Sequence, residues 1–592
     1  MGRPSTLAKR ATTTSATSTS TSKVADAACT NGPYTRTCWS SGFSAATDFD
    51  AKWPVTGKTV SYSFELVNST CDPDGSGSSR PCQLFNGQLP GPTVRANWGD
   101  TISVTLTNKL TTNGTGIHWH GIRQLNTGDQ DGVPGITECP LAPGQSKTYT
   151  WLATQFGTTW FHSHFSAQYG DGATGQIIID GPASSNYDID LGAMPLTDWY
   201  YQDSWVVGLQ AHASLQAFAA PPPADTILIN GTNMSPNNQT GAYSKTTGLV
   251  AGKKYRLRLI NISVDNPLRV SLDGHPFTVI TSDLVPIKPW TTNWILIAIG
   301  QRYDVIFTAT AANAKVGNFW LRVHYAAQCL SSGNNNPNAL GIFSYANAPS
   351  GNPASTAYTE PADCIEPLSN LVPWVSNTVN STAFLNQVGN LEVDISVPGL
   401  DGNGQNIVIW GVNLSAIDVN WDKPTTQYVK DGNTSYPTNL NLIELPTEGI
   451  WSYWIIQEPS NSPVPIPHPI HLHGHDFYVL GTGSGIFDKN TSPSTLKYTN
   501  PPRRDTAFLP GGGWLALAFP TDNPGAWLMH CHIAWHVSDG LAVQFLEGKS
   551  SSKFPLGDSS WDANCKSWNT FDATMPFPKT DSGLKLVKDS VN

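Results

Sequence analysis

Eleven of the chain's fourteen histidines fall in four short runs, and ten of these are candidate ligands. The ten are His118 and His120 in HWHG, His162 and His164 in HSH, His468, His471 and His473 in HPIHLHGH, and His530, His532 and His536 in HCHIAWH. Two runs lie in the first third of the chain and two in the last; the middle third holds none. A histidine that serves a core is usually single, whereas repeated His-x-His is metal-ligand spacing. On an extended strand residues i and i+2 face the same way. Each of the pairs His118/His120, His162/His164, His471/His473 and His530/His532 therefore presents two imidazoles on one side. Eight imidazoles are too many for one ion and suit a cluster of about three.

Cys531 stands between His530 and His532. If those two face the cluster, its thiolate faces the opposite way, towards a second metal site. His468 and His536 complete a His₂Cys set there, the ligand set of a blue-copper electron-transfer centre. The covalent link from Cys531 to its two neighbours then becomes an electron path. One side takes single electrons; the other stores and spends them. The weak axial ligand of such a site is usually a Met, but here Leu541 stands ten residues after Cys531 and cannot coordinate. Loss of the thioether favours Cu(I) and a raised potential. Zinc accepts the same donors, but it has no redox use for a Cys between two cluster ligands.

Such spacing requires strands. TVSYSFEL (59–66), TISVTLTN (101–108), YRLRLIN (255–261), RYDVIF (302–307) and IVIWGVN (407–413) alternate and predict half-buried antiparallel strands. Turn signals such as Asn86-Gly87, Pro143-Gly144 and Asp273-Gly274 punctuate them. No segment reads as a long amphipathic helix. The pattern predicts an all-β chain, a series of β-sandwich domains with boundaries near Pro182 and Asp363.

Composition agrees. Of 592 residues 39% are hydrophobic and only 13% charged, with 52 Gly and 44 Pro, which suits a turn-rich β protein. The net charge is −10 with no basic cluster, which argues against nucleic-acid partners. No apolar run is long enough to span a bilayer, so no membrane partner is expected. Nine cysteines suggest pairs plus one special thiol. Together with Asn-x-Ser/Thr sequons, among them Asn233, Asn238, Asn261 and Asn490, they favour a secreted, extracellular protein. MGRPSTLAKR lacks the apolar core of a signal peptide. Residues 1–28 read as a low-complexity tail or pro-region, with Lys9-Arg10 as a dibasic processing site.

The four runs, in this order and spacing, resemble the copper motifs of multicopper oxidases, and the chain resembles ascomycete-type laccases over about 29–584. The resemblance implies three consecutive cupredoxin-like β-sandwich (Greek-key) domains at 29–182, 183–363 and 364–584. It implies four copper ions as cofactors. The type 1 copper takes His468, Cys531 and His536, with Leu541 at the axial position. The type 2 copper takes His118 and His471, and the type 3 pair takes His120, His162, His164, His473, His530 and His532. It also implies the disulfides Cys29–Cys38, Cys139–Cys565 and Cys329–Cys364, which leaves Cys71–Cys82 as an additional pair. The chain-entropy model gives the long Cys139–Cys565 closure about 4–5 kcal/mol. Asp581-Ser582-Gly583-Leu584 resembles the family's processing site, so 585–592 should be removed and the new end should lie in the channel to the cluster.

The function implied is that of a laccase. Phenols such as benzenediols and methoxyphenols lose single electrons at the type 1 copper, and dioxygen is reduced to water at the trinuclear cluster. His536 is the expected electron-accepting edge. Asp225, in PPPADTILING, matches the carboxylate that takes the phenol's proton; on its own it reads as a turn or cap residue. Asp131, in DQDGVP, matches a carboxylate near the type 2 copper, or else an Asp-Gly turn. His475, His275 and Asp505 read as structural, Asp505 pairing with a neighbouring arginine. The partners expected are phenols and dioxygen, acting on a monomer. The alternatives are another multicopper oxidase (ferroxidase, bilirubin or ascorbate oxidase) or a non-enzymatic copper-binding cupredoxin-repeat protein. Membrane-bound ferroxidases carry a C-terminal helix not seen here, bilirubin-type enzymes usually have an axial Met, and storage relatives lose ligands.

Overall fold

Strands dominate the chain, and they form six sheets drawn two at a time from 59–180, 189–345 and 389–547. The computed structural model describes residues 29–40, 42–237, 239–396 and 407–575. The N-terminal tail, Asn238, the 581–584 motif and the extension 585–592 lie outside the described residues. The architecture is all-β, three cupredoxin-like β-sandwiches in series. No described helix is long and apolar enough to cross a membrane.

Alternation explains the first unit. In Thr101–Asn108 every second residue is buried, so Ile102, Val104 and Leu106 join its core while Ser103, Thr105 and Thr107 face outward. The middle unit departs from the half-buried expectation. Lys254–Asn261 is buried on both faces after its first residue, and Arg302–Thr308 is buried up to its last. Their polar side chains are tolerated inside because they are paired. Arg256 meets Asp304, and Arg258 meets Asp190 at 2.7 Å.

Two helices also depart from the expectation. Ser204–Gln216 starts at Asp203, whose carboxylate accepts from the Val206 N–H. Its apolar residues lie on both faces: Val207, Ala211 and Leu215 inside, Trp205 and Leu209 outside. That arrangement hides an amphipathic period. Ser559–Asp572 buries Trp561, Cys565 and Trp568, spaced four and three apart, which is a legible helical signal.

Two strand pairs position the candidate metal-binding residues. In the first unit Ile117–His120 lies antiparallel to Gly157–Ser163, with His118 opposite His162. In the last unit His468–Leu472 lies antiparallel to Gly525–Cys531, with His471 opposite His530. An apolar seam joins the two units. Val133 and Ile136 pack with Ile417, Leu528 and Leu546, and Phe165 stacks on Trp421 at 4.2 Å. The Cys139–Cys565 disulfide fastens the last helix across that seam. The other bridges are Cys29–Cys38, Cys71–Cys82 and Cys329–Cys364, and Cys531 is the free thiol. Two sequons are poor glycan acceptors. Asn261 is fully buried and donates to two carbonyls, and Asn233 is buried against Thr226.

Candidate metal centre

Each His-x-His pair keeps its two rings together. The ring centres are 6.0 Å apart for His118/His120, 5.6 Å for His162/His164, 4.9 Å for His471/His473 and 5.3 Å for His530/His532. Three pairs straddle the last residue of a strand, so the alternating direction carries just past the strand end. The two units then interleave. His118 stacks on His473 at 3.8 Å, and His120 stacks on His471 at 3.8 Å. His164 faces His530 at 5.5 Å, and His120 faces His532 at 5.0 Å. All eight imidazoles thus converge in one place.

Opposite them, Cys531 Sγ lies 3.5 Å from Nδ1 of His468 and 3.5 Å from Nδ1 of His536. The two nitrogens are 3.2 Å apart. A trigonal metal with bonds of about 2 Å spaces its donors about 3.5 Å apart, so this triangle fits one ion. Leu541 is buried, and its N–H donates to the His536 carbonyl, which sets it beside the triangle.

The donor chemistry also fits a metal. Nε2 of His118, His162 and His471 and Nδ1 of His532 are buried without a hydrogen-bond partner. Each such orphan costs about 1–3 kcal/mol unless something binds it. Burial first, then the neighbouring imidazoles, holds His120, His162, His164, His471, His473 and His532 well below the ordinary histidine range. Burial brings His530 to about 4. Neutral imidazoles are the form that donates a lone pair to a cation. Burial likewise pushes the Cys531 thiol up, a cost that a coordinating cation removes.

Models of the multicopper oxidase family match residues 65–184, 192–348 and 415–551. The chain belongs to the multicopper oxidase family. It is 56% identical to a laccase of Botryotinia fuckeliana (Laccase-3) over 77% of this chain and all of that one. It is 45% identical to Laccase-1 of Melanocarpus albomyces over 94% of this chain and 89% of that one. The crystal structure of the laccase from Botrytis aclada superposes with a TM-score of 0.85 at 41% identity, covering 94% of this chain and 100% of that chain. This oxidase has laccase activity and uses copper as cofactor.

Around its histidines the oxidase places carboxylates that hold the rings. Asp131 is fully buried. Its Oδ2 accepts from Nδ1 of His473 at 2.8 Å, and its backbone carbonyl accepts from Nδ1 of His118 at 3.1 Å. One residue thereby orients one ring from each unit. Asp505 does not pair with its neighbours Arg503 and Arg504. It takes both ends of Arg302, at 2.6 Å each, from the middle unit. Its Oδ1 also lies 3.2 Å from Nε2 of His120, and its backbone carbonyl accepts from Nδ1 of His471 at 2.8 Å. Sequence reasoning missed this position because its partner is 203 residues away. The middle unit also touches the cluster through Gly300 (φ +83°). A Cβ there would stand 2.9 Å from His120 and 3.0 Å from His532.

Asp225 is half-buried and belongs to no donor group among the described residues. Its Oδ2 accepts from the Tyr201 N–H at 2.7 Å, and its Oδ1 accepts from Asn335 at 3.3 Å. His475 faces Glu547 at 3.1 Å and belongs to no donor triangle. Trp410, which the sequence reading did not single out, lies 4.3 Å from the His536 ring and 5.1 Å from that of His468. His536 itself is only 4% exposed, so any substrate meets a narrow edge of it. His164 is the least buried of the cluster histidines and lines a narrow cleft of about 60 Å³ with Val133, Ile136, Val419, Trp421 and Leu528.

Proposed function

We propose that the oxidase takes electrons from phenols at the His468–Cys531–His536 triangle and reduces dioxygen at the eight-histidine cluster. The triangle would hold one copper, with the buried Leu541 supplying no donor to it. A type 2 copper takes His118 and His471, and a type 3 pair takes the other six imidazoles. The observation that carries this reading is Cys531. Its sulfur completes a 3.2–3.5 Å triangle while the rings of its chain neighbours His530 and His532 pack among the cluster histidines. Bound copper supplies reversible one-electron chemistry at the triangle and the reducing electrons for dioxygen at the cluster.

The balance is simple. Four phenols each give up one electron and one proton, and one dioxygen takes four of each to become two waters. Asp225 takes the phenol's proton, with the Tyr201 N–H and Asn335 holding its oxygens in place. Asp131 holds His118 and His473 in register and sits where protons reach the cluster. The cleft at His164 admits dioxygen. Both sites are completed within one chain, which supports a monomer. Four disulfides and exposed sequons such as Asn490 support secretion.

The test is a copper count with absorption and EPR spectra, followed by Cys531→Ser. The expected result is four coppers per chain and a strong band at about 600 nm. Cys531→Ser should abolish that band and phenol-driven dioxygen uptake. In steady-state comparison 2,6-dimethoxyphenol should outpace Fe(II), bilirubin and ascorbate. Much faster turnover of any of the last three would overturn the substrate reading.

A further inference from the structure

His468 has two ring nitrogens, and only Nδ1 faces Cys531. Its Nε2 points the other way and stands 3.2 Å from Oε1 of Glu458. Both side chains are buried, His468 at 0% and Glu458 at 1% exposure. Both atoms are buried and neither has a hydrogen-bond partner; they face each other at ion-pair distance without the alignment of a hydrogen bond. The carboxylate is fixed from behind, because its Oε2 accepts from the Gly512 N–H. Its backbone is fixed too, with the Glu458 N–H donating to the Gly513 carbonyl at 3.0 Å. Glu458 follows the strand Trp451–Gln457, and Gly512 precedes Gly513–Pro520, the strand paired with it. The acceptor is therefore anchored at the end of a sheet, beside the paired ends of two strands.

A buried carboxylate with one oxygen occupied and the other turned to an imidazole calls for an N–H at that nitrogen. A neutral imidazole has one such N–H, so a proton on Nε2 leaves the Nδ1 lone pair free towards Cys531. We propose that Glu458 is a positioning residue for His468: it holds the ring in the Nε2–H tautomer, orients Nδ1 for copper and strengthens its donation. This rests on the reading that the triangle holds copper. A carboxylate behind a ligating histidine raises the ligand's basicity, which stabilises Cu(II) over Cu(I) and lowers the potential. Glu458 thus works against Leu541, which raises it.

The test uses the copper-loaded enzyme and Glu458→Gln. Glutamine has one acceptor and one donor end. It can satisfy the Gly512 N–H or the His468 N–H, not both. A redox titration of the blue band should show a more positive midpoint in E458Q, and copper retention against a chelator should fall about 10- to 100-fold. Glu458→Asp should shift the midpoint in the same direction, since the shorter side chain cannot reach both partners. An unchanged midpoint and unchanged chelator resistance in E458Q would overturn the proposal. If neither variant folds, pulsed EPR of the unmodified enzyme decides. One remote imidazole nitrogen should show the coupling of a carboxylate-bound N–H, and two alike would overturn the assignment. A blue band absent from the unmodified enzyme would instead sink the copper reading itself.

Discussion

Asp225 and Asp131 are both aspartates one or two residues from a turn, and their surroundings separate them. Asp131 is sealed between two ligand rings, whereas Asp225 is half-buried with one oxygen weakly held by Asn335 at 3.3 Å. Asp131 Oδ1 has no hydrogen-bond partner but is fully buried, so only Asp225 is exposed enough to meet a passing substrate. Asp225→Asn should lower kcat/KM for 2,6-dimethoxyphenol about tenfold or more. Oxidation of ferrocyanide, which has no proton to give, should stay within about twofold. Equal losses for both donors in steady-state assays would assign Asp225 to structure alone. At this scale the grouping of the histidines was legible because i and i+2 on a strand share a face. Asp505 and Glu458 were not legible, because what gives them a role is a ring or guanidinium brought close only by folding.

The strand register brings a buried ionic network to the edge of the cluster. Asp283 accepts from the backbone and side chains of two arginines: the Arg302 N–H at 3.0 Å and Arg504 Nη2 at 3.0 Å. It also accepts from the Asp505 N–H at 3.1 Å, and Asp505 in turn grips Arg302. Burial alone would raise the Asp283 carboxyl, but the guanidinia of Arg504 and Arg302 outweigh it and hold the group below the usual range. Its contribution is therefore present above the unfolded value of about 4 and is lost as pH falls towards the folded one. Asp283→Asn should cost about 3–5 kcal/mol at neutral pH, measured by denaturant unfolding. The gap to the unmodified protein should close below about pH 4. Asn also tolerates the left-handed backbone at this position (φ +53°), so the loss reports the charge. Sequence alternation identified the strands that carry this network. It did not foresee that Arg302–Thr308 and Lys254–Asn261 would be buried on both faces, since paired charges look solvent-facing in a linear pattern.

Across the whole molecule, first and last units share the histidine cluster, so under the proposed assignment whatever holds them together governs dioxygen reduction more than phenol oxidation. The Cys139–Cys565 bridge spans 426 residues and pins Ser559–Asp572 against the seam of Phe165, Trp421 and Trp568. Cys565→Ser should destabilise the protein by about 2–5 kcal/mol. On heating it, dioxygen uptake should disappear before the blue band does, because the triangle lies wholly in the last unit. Loss of both signals at one temperature would count against this order. The middle unit, which carries no histidine cluster, is nonetheless not a spacer. It meets two rings at Gly300 with nothing but a hydrogen atom. Swapping that unit for one from a relative would succeed only if the donor keeps the same bare contact. One methyl group there would wedge the two neighbouring halves apart while leaving every metal-binding residue intact.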